Sequence, residues 1–278
     1  MGRRLSLGLD SSTQGLEAVV IDVDTREVVY NRSLDYVKDQ RVNRFGKHDN
    51  YLLPPKEDGE ANQPPLMYCE SLDAMFEDMV EELPDRGLGM NDIAVVNVSG
   101  QQHGHVLLAS AAHGYFHRLH EAVKEEASLA GLLEHSFAVP FARIWRTSCT
   151  KEQSDFVRDR IGGKAALIQL TGSDGPLRFS AFGIRKTGQD FPTGYREAVL
   201  IHQISSLLPA VLIGSISVPL DFGNACGTSL MDYRRREWST ELIDAVSHGL
   251  PGGSDGLREK LPRLTSGKTL VGNVAQYF

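Results

Sequence analysis

The sequence opens with three runs of strand-forming residues that are separated only by short polar segments, and this spacing restricts the fold. The runs cover residues 5–10, 18–23 and 27–30. Parallel neighbours need a crossover connection of about a dozen residues or more, so strands joined by such short segments pair antiparallel. The sequence therefore predicts a β-meander at the start of the fold.

Helical and strand patterns are mixed through the rest of the chain, which predicts an α/β fold. Apolar residues recur at helical spacing from Leu72 to Leu83, and Pro84 ends that pattern. Strands are predicted at residues 93–98 and 106–108. The further predicted helices are one after Thr150, with a Thr150–Gln153 capping box and a stop at Gly162-Gly163, one at residues 197–208 before Pro209, and one between Ser239 and Gly249.

A polar stretch from about residue 38 to residue 65 separates the meander from the first helical pattern. It contains several Pro and Gly residues and is predicted to form a long loop. Ordered loops of this length often carry function. At 278 residues the chain could hold one large domain that includes this loop, or two small domains.

Composition excludes several classes of protein. The net charge is -7 and the pI about 5.7, and an acidic surface repels phosphate backbones, so we expect no nucleic-acid partner. No apolar stretch reaches the roughly 18 residues of a membrane helix, and none follows Arg3 and Arg4 as in a signal peptide. The three cysteines fit no zinc or redox spacing. We therefore expect a cytoplasmic protein with no membrane partner.

The segment after the first predicted strand reads Asp10-Ser11-Ser12-Thr13-Gln14-Gly15. An aspartate at a strand end can hold the hydration shell of Mg²⁺, and the hydroxyl and N–H groups of a tight turn can bind phosphate oxygens. Phosphoryl transfer depends on such positioning and charge stabilisation. Ser and Thr are also common in ordinary hairpin turns, so the motif alone leaves both interpretations open.

A second polar motif, Gln101-Gln102-His103-Gly104-His105, follows the predicted strand at 93–98. Amide and imidazole groups donate and accept hydrogen bonds, which suits the hydroxyls of a sugar. Neighbouring glycine lets a ligand approach the backbone. The alternative is a polar loop whose histidine caps the backbone or faces water.

A third segment, residues 219–228, has small residues around Asp221 and Asn224. This composition indicates close backbone packing near a cleft. The alternative is a plain turn between a loop and a strand.

In combination and in order, these segments resemble the FGGY carbohydrate kinases, most of all xylulokinases of the branch that includes the eukaryotic enzymes. Residues 7–14 are similar to the family's first phosphate motif, and residues 99–104 to the xylulokinase sugar-site loop. The further segments that resemble this branch are residues 141–145, 170–173, 178–180 and 221–228, and Trp238-Ser239, which match it as far as the end of the family's N-terminal domain.

The resemblance implies a fold and a set of binding residues. The fold would be the ribonuclease H-like domain of the actin-like ATPase superfamily, a mixed sheet flanked by helices, with the active site in a cleft between two such domains. The implied binding residues are Asp10 for Mg²⁺, Ser12 and Thr13 for the transferring phosphate, and Gln102, His103 and Arg178 for the hydroxyls of a small sugar.

The implied activity is ATP- and Mg²⁺-dependent phosphorylation of a xylulose-like ketose at a terminal hydroxyl. Residues 1–278 would be the N-terminal sugar-binding domain of this enzyme. The general-base aspartate and the adenosine site would belong to a C-terminal domain with no counterpart here, so no catalytic residue is assigned. The isolated chain is expected to bind sugar weakly and to turn over little or nothing, and apolar surface at the contact with that domain favours a homodimer.

Two departures from the family pattern bear on the substrate. Thr147 stands where the family has the acid of its Trp-Met-Asp or Trp-Asn-Asp motif, and Gly183 stands where this branch has an amide. With Thr147 at this position, pentuloses, other ketoses and polyols all remain candidate substrates. Together with the missing base, Thr147 also motivates a second hypothesis, a non-catalytic sugar sensor or a degenerate kinase remnant. A third, an actin-like ATPase unrelated to sugar, gives Gln102, His103 and Arg178 no role.

Overall fold

The computed structural model of the protein describes residues 4–46, 51–122 and 127–278, which form a mixed α/β fold. The strands are β1 (Leu5–Ser11), β2 (Gly15–Asp22), β3 (Val28–Asp35), β4 (Asn62–Gln63), β5 (Ile93–Gly100), β6 (His105–Ala109), β7 (Ala142–Arg143), β8 (Ala198–Gln203), β9 (Leu220–Asp221), β10 (Met231–Asp232), β11 (Glu237–Trp238) and β12 (Leu264–Thr265). The α-helices are α1 (Pro65–Glu82), α2 (Ala112–His117), α3 (Leu129–Leu132), α4 (Lys151–Arg160), α5 (Lys164–Thr171), α6 (Ser180–Asp190), α7 (Pro192–Glu197), α8 (Ile204–Leu212), α9 (Phe222–Cys226), α10 (Thr240–Ser247) and α11 (Gly253–Lys260). Short 3₁₀ helices cover Asn43–Phe45, Pro84–Arg86, Met90–Asp92 and Arg118–His120.

The first sheet has the strand order β3-β2-β1-β5. Strands β1, β2 and β3 pair antiparallel, as the predicted meander requires, and β5 pairs parallel to β1. Buried and more accessible residues alternate along β1, so one face of the sheet is covered and the other is open. Because β1 and β5 run parallel, both strands end at the same edge of the sheet.

The second sheet has the order β4-β7-β6-β8, and its paired strands are antiparallel. Strand β6 lies in its interior, and its first four residues are buried. The loop before β6 and the segment after β7 both extend from this sheet.

The two largest apolar clusters of the described residues hold these layers together. The larger one combines the inward side chains of β1 and β2 with α1 and α8, including Leu7, Leu72 and Leu207, each 0% exposed. The other joins α4, α6 and α10 to β6 through Leu107. Within the described residues, no helix is both long enough and apolar enough to cross a membrane.

Most of the predicted elements are confirmed. Strands form at both predicted positions after the meander, and α1 ends at Glu82, two residues before Pro84. Ser239 accepts a hydrogen bond from the Leu242 amide and caps α10, and Gly249 follows that helix with a φ of 76°. In the polar stretch 38–65, residues 47–50 lie outside the described residues, and the described part contains a 3₁₀ helix and β4.

The helix predicted at residues 197–208 is wrong. Residues Ala198–Gln203 form β8, and the helix begins at Ile204 and continues through Pro209 to Leu212. Strand β8 pairs with β6, a contact between distant parts of the chain that overrides the local helical pattern. Pro209 removes one amide donor from α8, and burial of the surrounding apolar side chains offsets this loss.

The predicted capping box of α4 is also wrong, although the helix itself is present. The Thr150 side chain makes no cap hydrogen bond to this helix. Its hydroxyl instead donates to the carbonyl of Leu177 at 2.5 Å. Thr150 therefore joins the start of α4 to the segment that precedes α6.

Candidate functional site

The carboxyl ends of β1 and β5 bring the two main sequence motifs together. Ser11 lies opposite Gly100 in the parallel register, and the Gln101 amide donates to the Ser11 carbonyl at 2.8 Å. Both strands end here, so the turn after β1 and the loop after β5 leave the sheet side by side. Ligand sites of sheets with parallel strands commonly form at this edge.

A cavity of about 400 Å³ opens at this edge. All six residues predicted to bind ligand line it, although they come from three separate parts of the sequence. The lining consists of Asp10, Ser12, Thr13, Gly100, Gln101, Gln102, His103, Trp145 and Arg178. The structure thus brings the predicted residues together, while the role of each stays a prediction.

His103 has a defined protonation state within the cavity wall. Its Nδ1 lies 2.7 Å from the carbonyl oxygen of Gly227, which can only accept, so Nδ1 carries a proton. Burial lowers the pKa of His103 below its usual value; the hydrogen bond to Gly227 opposes this effect only in part, and the positive charge of Arg178 adds to it. The ring is therefore neutral at pH 7, and its Nε2 is a hydrogen-bond acceptor.

Several neighbours fix the position of His103. Its ring stacks on Phe179, with centroids 4.4 Å apart and 23° between the ring planes. The Ser180 hydroxyl donates to the His103 carbonyl at 3.0 Å. A Cβ atom on Gly227 would lie 2.9 Å from Cε1 of the ring, so only glycine leaves room for it.

Residues 219–228 therefore support the cavity wall through the contact of Gly227 with His103. Asp221 caps the short helix α9 by accepting from the Asn224 amide at 3.0 Å, and Gly227 follows that helix and receives His103. The expected close packing near a cleft is confirmed at Gly227, whereas Asp221 and Asn224 do not line the cavity.

Arg178 and Gln102 present polar groups to the cavity. Both side chains are exposed. The Arg178 guanidinium carbon lies 5.8 Å from the centre of the Phe179 ring, on the aromatic side chain that also stacks with His103. A cation and a neutral acceptor therefore flank the same opening, which suits a ligand with several hydroxyl groups.

Asp10 and Ser12 differ in how much of their bonding capacity is free. Among the described residues, Asp10 has no ion-pair or side-chain hydrogen-bond partner, and its carboxylate is exposed at the cavity. The Ser12 hydroxyl donates to the Gly15 carbonyl at 3.0 Å, as in an ordinary turn. Ser12 can still accept a hydrogen bond, but its proton is used inside the turn.

Thr13 is held by Trp145, a residue without a predicted role. The indole Nε1 donates to the Thr13 hydroxyl oxygen at 2.7 Å, and 43% of Trp145 is exposed. The segment after β7 therefore contacts the turn after β1 directly. An exposed aromatic face beside polar groups matches the mixed polar and apolar surface of a sugar.

Thr147, at the position where the resemblance to FGGY kinases predicts an acid, is buried and bound to the backbone. Its hydroxyl donates to the Ala61 carbonyl at 2.9 Å, and its oxygen lies 3.3 Å from the Ala61 amide, which donates to it. It is not among the residues that line the 400 Å³ cavity. In this chain the position ties the segment before β4 to the segment after β7.

Gly183, the second departure, is explained by its neighbours. A Cβ atom here would lie 3.0 Å from Cδ of Arg143 and 2.9 Å from Cε1 of His105. Arg143 is 2% exposed, and its nearest acidic partner is Glu60 at 3.6 Å. The arginine side chain occupies the space that a longer residue at position 183 would need.

Sequence reasoning missed Trp145, Phe179, Gln101 and Gly227. Phe179 directly follows the predicted sugar ligand Arg178, and this position was an available signal. Trp145 lies in the segment 141–145, whose only signal is its resemblance to the kinases. Gly227 carried no such signal because its role depends on a contact with His103, 124 positions away.

Curated relatives match almost the whole chain. Xylulose kinase 2 of Arabidopsis thaliana is 28% identical over 274 residues, which cover 99% of this chain and 46% of that protein. Xylulose kinase of Saccharomyces cerevisiae is 28% identical over 277 residues, which cover 98% of this chain and 43% of that protein. The chain thus spans about half the length of the curated relatives it matches. No family model matches the sequence.

Solved structures show the same architecture. A xyloylose kinase from Brucella ovis superposes with a TM-score of 0.71 at 19% identity, covering 98% of this chain and 45% of that one. Glycerol kinase of Plasmodium falciparum, solved with ADP, gives 0.68 at 17% identity, covering 98% and 45%. The expected actin-like ATPase fold is confirmed, and so is the resemblance to the N-terminal part of FGGY carbohydrate kinases.

Proposed function

We propose that this chain, so similar to the first half of xylulose kinases, is the sugar-binding domain of a kinase that transfers the γ-phosphate of ATP to a terminal hydroxyl of a ketose. The observation that carries the proposal is the cavity in which His103 and Arg178 lie beside the turn of Asp10, Ser12 and Thr13. A phosphotransferase must hold its acceptor next to its phosphate site, because catalysis of this reaction is largely positioning.

Each side of the cavity has a task in this proposal. The neutral His103 accepts a hydrogen bond from one sugar hydroxyl through Nε2, and Arg178 donates to a second hydroxyl. Gln102 can do either. The turn at 12–14 binds the transferring phosphate mainly through the Thr13 hydroxyl, because the Ser12 hydroxyl and amide protons are both donated to the Gly15 carbonyl.

The site can accommodate Mg²⁺ in one particular way. No group of three or more His, Cys, Asp or Glu that could enclose a metal ion occurs in the described part of the chain. Mg²⁺ is commonly held by one or two carboxylates together with water and substrate phosphates, and the exposed Asp10 carboxylate fits that mode. The ion would neutralise charge on the phosphate oxygens, while Asp10 would hold its hydration shell.

The proposal assigns residues 1–278 to one domain and places the general base and the adenosine site in a second domain outside them. The curated relatives are about twice as long as the matched region, which supports this division. We expect the 278-residue chain alone to phosphorylate little or no sugar, since half a cleft leaves the reacting groups in water. Efficient turnover by this chain alone would contradict the assignment.

Ketose binding tests the proposal. The chain is titrated by calorimetry with D-xylulose, L-xylulose, ribulose, fructose and glycerol, and the titrations are repeated with His103→Ala and with His117→Ala, an exposed histidine outside the cavity. We expect one ketose to bind the wild type and His117→Ala but not His103→Ala. No binding by the wild type, or equal binding by His103→Ala, would count against the proposed function.

A non-catalytic sugar sensor is the second candidate, and the position of Thr147 favours it. Where the family has an acid, this chain has a hydroxyl that is bonded to the backbone of Ala61. Adding the second domain of a xylulose kinase relative separates the two candidates. Restored turnover supports the kinase, and sugar binding without turnover supports the sensor.

A further inference from the structure

The turn that contains Thr13 is closed by a ring of three side-chain hydrogen bonds. The Thr13 hydroxyl donates to Oε1 of Gln101 at 3.5 Å. Nε2 of Gln101 donates to Oε1 of Gln63 at 2.7 Å, and Nε2 of Gln63 returns to the Thr13 carbonyl at 2.8 Å. Three segments that are far apart in sequence therefore meet at one threonine.

The ring has a single sense of donation, and its chemistry fixes that sense. The Thr13 carbonyl can only accept, so Gln63 must direct its NH₂ group toward Thr13 and its oxygen toward Gln101. Gln101 must then direct its own NH₂ group toward Gln63, which leaves its oxygen facing Thr13. The Tyr68 hydroxyl supports this arrangement by donating to Gln63 and accepting from Gln101 at 2.9 Å.

The two amides are deeply buried, so their hydrogen bonds are not readily replaced by water. Gln63 and Tyr68 are 0% exposed and Gln101 is 8% exposed. Breaking one bond of such a network leaves a buried polar group without a partner, which is costly. The two short bonds, from Gln101 to Gln63 and from Gln63 to the Thr13 carbonyl, therefore hold the turn, and the 3.5 Å contact of the Thr13 hydroxyl is the weakest member of the ring.

We propose that Gln101 is a positioning residue. It connects the loop of residues 101–104, which carries His103, to the turn of residues 12–14 by binding the Thr13 hydroxyl. The proposal rests on the proposed function, because it concerns how the two halves of that site are held in register. Gln101 directly precedes Gln102 and His103 in the chain. A displacement of the loop of residues 101–104 therefore also moves Oε1 of Gln101, which accepts the Thr13 proton.

The distances indicate which bond of Thr13 is the weaker one. Trp145 donates to the Thr13 oxygen at 2.7 Å, whereas the Thr13 proton lies on the longer 3.5 Å contact to Gln101. A phosphate oxygen that enters the cavity competes for this proton, while the indole keeps the Thr13 oxygen in place. Trp145 thus reports on the position of Thr13 whether or not a ligand is bound.

The indole resonance of Trp145 tests the proposal directly. The protein has two tryptophans, so the ¹⁵N-labelled chain gives two indole signals, and Trp145→Phe identifies the relevant one. Thr13→Val removes the acceptor and marks where the signal lies without the hydrogen bond. We expect Gln101→Leu to move the signal upfield toward that position, and Tyr68→Phe to move it by a smaller amount.

A second buried glutamine provides the matched control. Gln153 is 4% exposed and donates to Gln189 at 2.8 Å, in a contact between α4 and α6. We expect Gln153→Leu to lower stability and leave the Trp145 signal in place. If Gln101→Leu does not fold, Tyr68→Phe decides. An unmoved signal in the folded variants of Gln101 and Tyr68 would overturn the proposal.

The ketose titration keeps this test apart from that of the proposed function. The indole signal is measured without ligand, so it reports on the ring even if the wild type binds no ketose. Conversely, a result in which the wild type binds a ketose and Gln101→Leu leaves the Trp145 indole resonance unshifted would reject the positioning role of Gln101. That pair of results would not affect the proposed function.

Discussion

The backbone of His103 has a φ of 66°, in the left-handed region that costs an L-residue roughly 1–2 kcal/mol. The Ser180 hydroxyl on its carbonyl, the Phe179 ring and the Gly227 carbonyl together offset this cost. Strained residues of this kind occur preferentially at binding sites, where they fix a side chain before the ligand arrives. His103 is therefore held in position before any ligand binds.

Gly227→Ala should weaken ketose binding while the fold remains intact. The glycine has a φ of -71°, which alanine also adopts, so the added methyl acts only by displacing the His103 ring. We expect an affinity loss of about tenfold or more, equivalent to roughly 1.4 kcal/mol, measured by calorimetry. Gly114→Ala is the control, because a Cβ there has no neighbour within 4 Å. Equal affinity in the two variants would refute this account of Gly227.

At the scale of elements, helix α1 binds the start of the polar stretch through its carboxylates. Asp78, whose side chain is 9% exposed, forms ion pairs with Arg32 of β3 at 2.9 Å and with Arg41 at 2.8 Å. Arg41 also binds Asp39 at 2.7 Å. These contacts fasten the segment after β3 to the helix that covers the first sheet.

Asp78→Asn should lower the free energy of unfolding by roughly 2 kcal/mol, because two arginines lose a largely buried carboxylate. Urea unfolding at low and high salt measures the effect, and the loss should be largely retained at high salt. Asp24→Asn removes the exposed partner of Arg4 and should change little. Equal effects of the two substitutions would show that burial does not increase the contribution of Asp78 to the free energy of unfolding.

Elements with a local signal could be predicted from the sequence, and those made by distant contacts could not. The meander follows from short connections, and α1 follows from apolar spacing and Pro84. Strand β8 depends on pairing with β6, about 90 positions earlier. The candidate site divides in the same way. Its motif residues were identified, whereas the contact of Gly227 with His103 appears only after folding.

At the scale of the whole molecule, two fully buried histidines make stability depend on pH. His202 donates to the Ile216 carbonyl through Nε2 at 2.8 Å, and its Nδ1 lies 2.8 Å from the Ser206 hydroxyl. Burial lowers the pKa of His202 to about 4, and that of His105 to about 4. Both side chains are therefore neutral in the folded protein at pH 7.

Acid should destabilise the fold below pH 6.5. A histidine of the unfolded chain binds a proton near pH 6.5, whereas His105 and His202 in the folded protein bind one only near pH 4. Between these two pH values the unfolded state holds more protons than the folded state. The free energy of unfolding therefore falls as the pH is lowered from 6.5 to 4. His202→Gln should reduce the loss between pH 7.5 and pH 5 by about 2 kcal/mol in urea unfolding. His117→Gln, at an exposed position, should leave the loss unchanged. An unaltered pH dependence in His202→Gln would exclude this residue as a cause.

The contact of Gly183 with His105 and Arg143 has a consequence for engineering this protein. A Cβ atom at position 183 would lie 2.9 Å from Cε1 of His105 and 3.0 Å from Cδ of Arg143, so a larger residue there requires both neighbours to change. Removing the arginine alone would deprive the buried Glu60 carboxylate of its arginine partner at 3.6 Å. A library that varies position 183 alone will therefore return glycine, and only one that varies positions 105, 143 and 183 together can sample a different packing.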